Sequence, residues 1–190
     1  MIDLLRIDDF LDAEACVTLL VELRQAAGAP ATLLGRTGGD AVQPQVRRTT
    51  RAAVPPSTRE RLLALLLAQK DAIGRHFGVT LGTCEEPQFL RYGPGDFFVA
   101  HQDGNTPLLH DDSRFRRISA IIFLSASSPE PLPGTYGGGV LTFHDPVFGS
   151  PLRLPLTPSP GTFVAFRAET THEVTPVTHG ERFTIVSWYR

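Results

Sequence analysis

The sequence predicts a mainly β fold with helices (α+β): a double-sheet β-barrel or jelly roll with helices packed outside one sheet. Two observations predict it. From residue 85 onward, eight short apolar or alternating segments are separated by Gly, Pro, Asn and Asp turns. Ahead of them lie two segments with helical spacing, the second apolar enough to cover a sheet. At 190 residues the chain suits one domain with a substantial core. Residues 1–190 are therefore read as a single domain, with 1–84 as helical support and substrate loop and 85–190 as the jelly-roll core.

The first helix is expected over 12–27, "DAEACVTLLVELRQAA", because Ala15, Cys16, Leu19, Leu20 and Leu23 share a face. Asp12 is its expected N-cap and Gly28 its stop. The following stretch, rich in Gly and polar residues, reads as a loop leading into a short strand near residues 46–52. The second helix, in "PPSTRERLLALLLAQKDAIGRHFG", is expected to start with Ser57 and Glu60 as a capping box. It should run to about His76, with Gly78 as its stop. The strand candidates are "EPQFLRY", "DFFVAHQD", "RRISAIIFLSA", "GGVLTFHD", "SPLRLPL", "GTFVAFR", "HEVTPV" and "RFTIVSWYR".

Composition excludes some partners. A net charge of −2 with scattered Arg and a single Lys, Lys70, points to neither nucleic acid nor an acidic membrane surface. Cys16 and Cys84 are too few and too far apart for a zinc site or a disulfide framework, so a reducing cytoplasm is expected. The opening "MIDLLRIDDFLD" carries early acids and no long apolar run, so no signal peptide is expected, and no segment approaches a membrane span.

The chemistry concentrates in "HQDGNTPLLHDD", where His-x-Asp occurs twice, at His101/Asp103 and at His110/Asp112. Residues two apart on a strand point to one side. The alternation in "GDFFVAHQD" thus delivers His101 and Asp103 to one face, whereas His110 and Asp112 follow Pro107 in a polar loop. His172, between the strand "PGTFVAF" and the alternating "HEVTPV", is the candidate third ligand. Two His and one Asp leave open octahedral positions, as a non-haem Fe(II) oxygenase requires, whereas a structural zinc would want a fourth ligand. Arg182 follows His172 by ten residues across the turn "THGE", a spacing that can bring its guanidinium inside the barrel. A buried Arg needs an anion, and its fork matches the far carboxylate of a metal-chelating keto acid. Two other classes remain open: a non-catalytic metal- or ligand-binding sensor barrel, and a cupin-type metalloenzyme that uses no keto acid.

The run from Gln88 to Arg190 resembles the Fe(II)- and 2-oxoglutarate-dependent dioxygenases of the prolyl 4-hydroxylase-like branch. The matching pieces, in order, are "RYGPGDFFVAHQD", "RRISAIIFLS", "GGVLTF", "PGTFVAF" and "HEVTPVTHGERFTIVSWY", and upstream "VRRTT" followed by a helix is similar too. The resemblance implies a double-stranded β-helix (jelly-roll, cupin-like) core with N-terminal supporting helices. It implies His101, Asp103 and His172 as ligands of Fe(2+), Arg182 on the distal carboxylate of 2-oxoglutarate, and Tyr92 and Trp188 around the same cosubstrate. Some relatives place a Tyr in the strand matching "AIIFLS"; Ile122 and Phe123 stand there, so the polar contacts must differ. The implied reaction consumes O2 and 2-oxoglutarate, releases succinate and carbon dioxide, and hydroxylates a substrate, with ascorbate as an accessory reductant. Asp103 favours hydroxylation, because related halogenases carry a small residue at that ligand position.

The substrate stays open between a peptidyl proline, another protein side chain and a small molecule. Arg36, Arg91, Arg114, Arg116 and Arg117 could meet an anionic one. A lid is expected from residues 34–46 and 104–116, and the oligomeric state is left open.

Overall fold

The computed structural model describes residues 2–34, 40–107, 111–145 and 152–190. A major antiparallel sheet of seven strands runs in the order Leu4–Ile7, Phe163–Arg167, Ile118–Phe123, Arg182–Tyr189, Gln88–Tyr92, Thr50–Ala52 and Gly28–Pro30. A minor sheet of five runs Leu152–Leu156, Leu141–Asp145, His172–Val174, Phe97–His101 and Arg47–Arg48. The two face each other as a jelly roll, and helices α1 (Ala13–Gln25) and α2 (Pro56–Phe77) cover the outer face of the major sheet.

Period-two alternation divides the apolar side chains between two layers. On Ile118–Phe123, Ile118, Ala120 and Ile122 join the layer under the helices, while Ile121 and Phe123 join the layer between the sheets. Phe163 and Ala165 face the helices, and Val164 and Phe166 face the minor sheet. On Arg182–Tyr189, Phe183 and Ile185 pack outward against the helices, so Arg182, Thr184, Val186 and Trp188 turn inward and line a cavity. Each fully buried Leu or Phe of these layers contributes about 1.5–3 kcal/mol. All eight strand segments expected after residue 85 form.

Several local expectations are corrected. Helix α2 starts at Pro56, with Pro55 in the N-cap position and no side-chain cap, so Ser57 and Glu60 form no capping box. Proline's fixed φ and missing N–H suit the first helical position, which shifts the start ahead of Ser57. Thr58 instead donates to Glu22 Oε2 at 3.0 Å and ties the two helices together. Asp12 caps α1 as expected, through Ala15 N–H at 2.7 Å, but the helix stops at Ala26 in extended conformation. Gly28 is not the stop: it begins a strand, where a Cβ would stand 2.3 Å from Thr50 Cγ2. Gly78 does end α2, in the left-handed region.

The single strand expected near 46–52 is two. Arg47–Arg48 pairs with Phe97 and Phe98 in the minor sheet, and Thr50–Ala52 pairs with Leu90 and Arg91 in the major one. The chain changes sheets at Thr49, whose hydroxyl donates to the Arg91 carbonyl at 2.9 Å. Residues before 85 thus supply edge strands to both sheets besides the helices, and among the described residues no helix is long and apolar enough to cross a membrane.

Leu62 is fully buried under the major sheet. Leu62→Ala is expected to lower stability by about 2–5 kcal/mol, read as an earlier urea midpoint with an unchanged slope. A loss below about 1 kcal/mol would show that α2 is not part of the core.

Candidate metal and anion site

The site forms where Phe97–His101 pairs with His172–Val174. His101 stands opposite His172 and Phe98 opposite Val174, so a three-residue step on one strand faces a two-residue step on the other. This bulge turns Phe98 and His101 to the same side, where their rings stack 3.5 Å apart at 14°. The strand ends at His101, and Asp103 reaches the site from the irregular segment that follows rather than by strand alternation. Its backbone N–H donates to the Ala168 carbonyl at 2.8 Å. Asp103 Oδ1 lies 3.4 Å from His101 Nε2, and Asp103 Oδ2 lies 3.6 Å from His172 Nε2.

This trio is the group of potential metal ligands found among the described residues, with its donor atoms within 4.8 Å of one another. Ligands on adjacent octahedral corners, each about 2.1 Å from a metal, stand about 3 Å apart, so the donors are slightly wider than a loaded site. Both imidazoles are turned the right way. His101 Nδ1 donates to the Val99 carbonyl at 2.8 Å and His172 Nδ1 to the Thr170 carbonyl at 2.9 Å. A carbonyl only accepts, so Nδ1 carries the proton and Nε2 is left with a lone pair facing the metal position.

Electrostatics prepares the same donors. Burial alone would raise the Asp103 carboxyl, but the His172 and His101 imidazoles and the Trp188 indole outweigh it and hold the group far below the usual carboxylate range. Ser119 Oγ donates to Asp103 Oδ2 at 2.7 Å. Burial, reinforced by His101, pushes His172 down to about 4, against a lesser pull upward from Asp103. At neutral pH Asp103 is an anion and His172 a neutral imidazole, charge states that suit a divalent cation.

A cavity of about 650 Å³ opens from this cluster, with Arg182 in its wall. Arg182 is only 2% exposed, its Nε has no hydrogen-bond partner, and no carboxylate pairs with it among the described residues. Its guanidinium sits 5.2 Å from the Tyr92 ring centre and 5.4 Å from that of Phe123, with one long contact, 3.4 Å, to Thr184 Oγ1. Gly139 adopts φ +55° against it, and a Cβ there would lie 2.9 Å from Arg182 Cδ. A buried cation without an anion is costly, so this position is built for an anionic ligand.

The structure therefore brings together His101, Asp103 and His172, and places Arg182, Tyr92 and Trp188 on the same cavity. Trp188 also lies under Arg116, whose guanidinium is 3.7 Å from its ring centre. Phe123 points inward and Ile122 outward, so an aromatic ring without a hydroxyl borders Arg182. Of the second His-x-Asp copy, Asp112 opens a short 3-10 turn and is not part of the cluster, and His110 lies outside the described residues. Of the candidate lid, residues 34, 40–46, 104–107 and 111–116 are described and 35–39 and 108–110 are not.

Sequence reasoning missed Ser119, Phe98, Arg47 and the clamp on Glu85. Arg116 grips both Glu85 oxygens, at 2.9 and 2.7 Å, and Arg190 adds a contact at 2.9 Å. Ser119 had a signal, as the polar member of the inward-facing set Ser119, Ile121 and Phe123. The Glu85 clamp had none, because its members come from three distant segments.

A sequence profile of the 2OG-Fe(II) oxygenase superfamily matches residues 87–190. A PKHD-type hydroxylase of Klebsiella pneumoniae is 31% identical over 187 residues, covering 96% of this chain and 76% of that protein. A PKHD-type hydroxylase of Burkholderia ambifaria is 34% identical over 103 residues, covering 54% of this chain and 41% of its own length. Among solved structures, a Pseudomonas putida prolyl-4-hydroxylase superposes with a TM-score of 0.73 at 23% identity, covering 100% of this chain and 93% of that one. A prolyl hydroxylase from Trichoplax adhaerens, in complex with a hypoxia inducible factor peptide fragment, gives 0.71 at 16%, covering 98% and 83%. These two likenesses concern the fold.

Ser119→Ala should leave the fold intact and weaken divalent metal binding by about 10–100-fold, because it frees one oxygen of Asp103 to rotate. Titration with Mn(II), followed by the electron spin resonance signal of the free ion, reads this directly.

Proposed function

The chain belongs to the 2OG-Fe(II) oxygenase superfamily, and on that premise we propose that it hydroxylates a prolyl or other protein side chain, or a small molecule, while 2-oxoglutarate becomes succinate and carbon dioxide. The observation that carries this reading is the pairing, in one cavity, of a three-ligand His-Asp-His cluster with the buried, anion-free Arg182. A sensor or a cupin-type enzyme without a keto acid has no use for the second feature.

His101, Asp103 and His172 would hold the iron, through Nε2, a carboxylate oxygen and Nε2. Iron so held supplies the oxidising chemistry, with dioxygen and 2-oxoglutarate as co-reactants. The chain supplies the rest. Arg182 binds the distal carboxylate in a bidentate fork, which fixes the length and direction of the dicarboxylate. Tyr92 and Phe123 border that guanidinium with apolar rings, so its charge acts in a medium with little water to screen it. Tyr92 also offers a hydroxyl to the cosubstrate, and Trp188 walls the same space while its indole steadies Asp103. Phe98 shields one face of His101 from solvent. The free Cys16 and Cys84 suit a reducing, cytoplasmic setting.

Under nitrogen, Fe(II) plus 2-oxoglutarate is expected to give a weak visible charge-transfer band, absent from His172→Ala. Arg182→Ala should weaken 2-oxoglutarate binding by at least about thirty-fold, because truncation leaves the dicarboxylate unpaired at a cost of 2–5 kcal/mol. A protein that binds metal but shows neither the band nor succinate release would refute the oxygenase assignment.

A further inference from the structure

We propose that Arg47 is the substrate anchor of this site and that the substrate is a small acid held by its carboxylate, an assignment that rests on the oxygenase reading. Arg47 is only 7% exposed and lines the cavity. It sits on the edge strand of the minor sheet, directly opposite Phe98, and its guanidinium lies 4.8 Å from the Phe98 ring centre. Because Phe98 stacks on His101, Arg47 is one ring away from a metal ligand. Its Nε is buried without a partner, and its recorded hydrogen bond is a long one, 3.5 Å, from Nη1 to the Thr32 carbonyl. No carboxylate pairs with it among the described residues. The adjacent Arg48 is an ordinary surface arginine, exposed, bonded to the Gly95 carbonyl and lying over Phe97.

Charge balance shows what Arg47 lacks. Of the cavity's acids, Asp103 serves the metal, Glu85 is clamped by Arg116 and Arg190, and Asp111 accepts from the Ser113 N–H and hydroxyl. Asp112 is exposed at the rim. 2-Oxoglutarate brings two carboxylates, one for iron and one for Arg182, so neither remains for Arg47. The divalent iron, Asp103, the dianion and the two buried guanidinium groups leave one surplus positive charge. A substrate monoanion neutralises it, and a carboxylate fits the guanidinium fork in two parallel hydrogen bonds. A peptidyl proline inside a chain carries no such group, so a free amino acid or similar small acid is favoured. An acidic side chain on a peptide shares the chemistry and is separated by the test.

The probes are free L-amino acids including L-proline, the same compounds as carboxamides, a blocked prolyl peptide, and that peptide with one Asp added. Binding to the anaerobic Fe(II) and 2-oxoglutarate complex is read as a shift of the charge-transfer band, and turnover as succinate. At least one free acid should shift the band, its carboxamide needing at least ten-fold more. Arg47→Gln should abolish that preference and Arg47→Lys restore part of it, with both variants checked for folding by thermal melting. If the Asp peptide alone responds, the small-acid source is wrong. The carboxylate anchor itself fails if acids and carboxamides bind alike, if no acid shifts the band, or if Arg47→Gln keeps the preference. Should Arg47→Gln not fold, the acid-to-carboxamide ratio of the wild type and of Arg47→Lys decides. Absence of the band in the wild type would instead overturn the oxygenase assignment beneath it.

Discussion

His101 and His172 face each other across two antiparallel strands, and the register of that pair positions the other groups of the site. The bulge beside it brings Phe98 round to stack on His101, and Phe98 in turn carries Arg47, its partner on the next strand. On the far side, His172 packs edge-on against Phe166, with ring centres 4.7 Å apart, at the heart of the layer between the sheets. A one-residue slip would turn both imidazoles to the outer face and scatter the cluster. The backbone carbonyls of Val99 and Thr170 add a second constraint, because each holds one ring in the tautomer that leaves Nε2 available.

Electrostatics then decides what this frame can hold. Asp103 stays ionised in spite of burial, and His172 stays neutral well below physiological pH. Two arginines of the same cavity, Arg182 and Arg47, are buried with no acid to meet them among the described residues, while Glu85 takes up Arg116 and Arg190. Burying charge without a counter-charge is among the more expensive features of a fold, and it persists where a ligand supplies the missing partner. The charge pattern leaves two buried cationic positions open to anionic ligands.

The major sheet separates the two demands on the chain. Its outer face, under α1 and α2, is mostly apolar packing, whereas its inner face alternates packing residues with Arg182, Thr184 and Ser119. Stability can rest on one side while the other carries polar groups with unmet hydrogen bonds. The N-terminal segment belongs to both, since its helices cover the outer layer and Arg47 reaches into the cavity.

The sequence by itself determined the jelly-roll class and the eight later strands, and it singled out His101, Asp103, His172 and Arg182 by side-chain chemistry and order, which are local or pairwise signals. Helix starts were less legible: Ser57 has the chemistry of a cap, yet Pro56, with its fixed φ and missing N–H, takes the first helical position. The tertiary structure alone decided that Asp103 meets the two histidines from beyond the end of its strand, since the cluster depends on pairing across some seventy residues. It also decided that Arg47 is buried, whereas Arg91, Arg114, Arg116 and Arg117 are partly or fully exposed. Burial and missing partners are properties of packed surroundings, and nothing in "VRRTT" distinguishes an arginine turned inward from its neighbour turned to water.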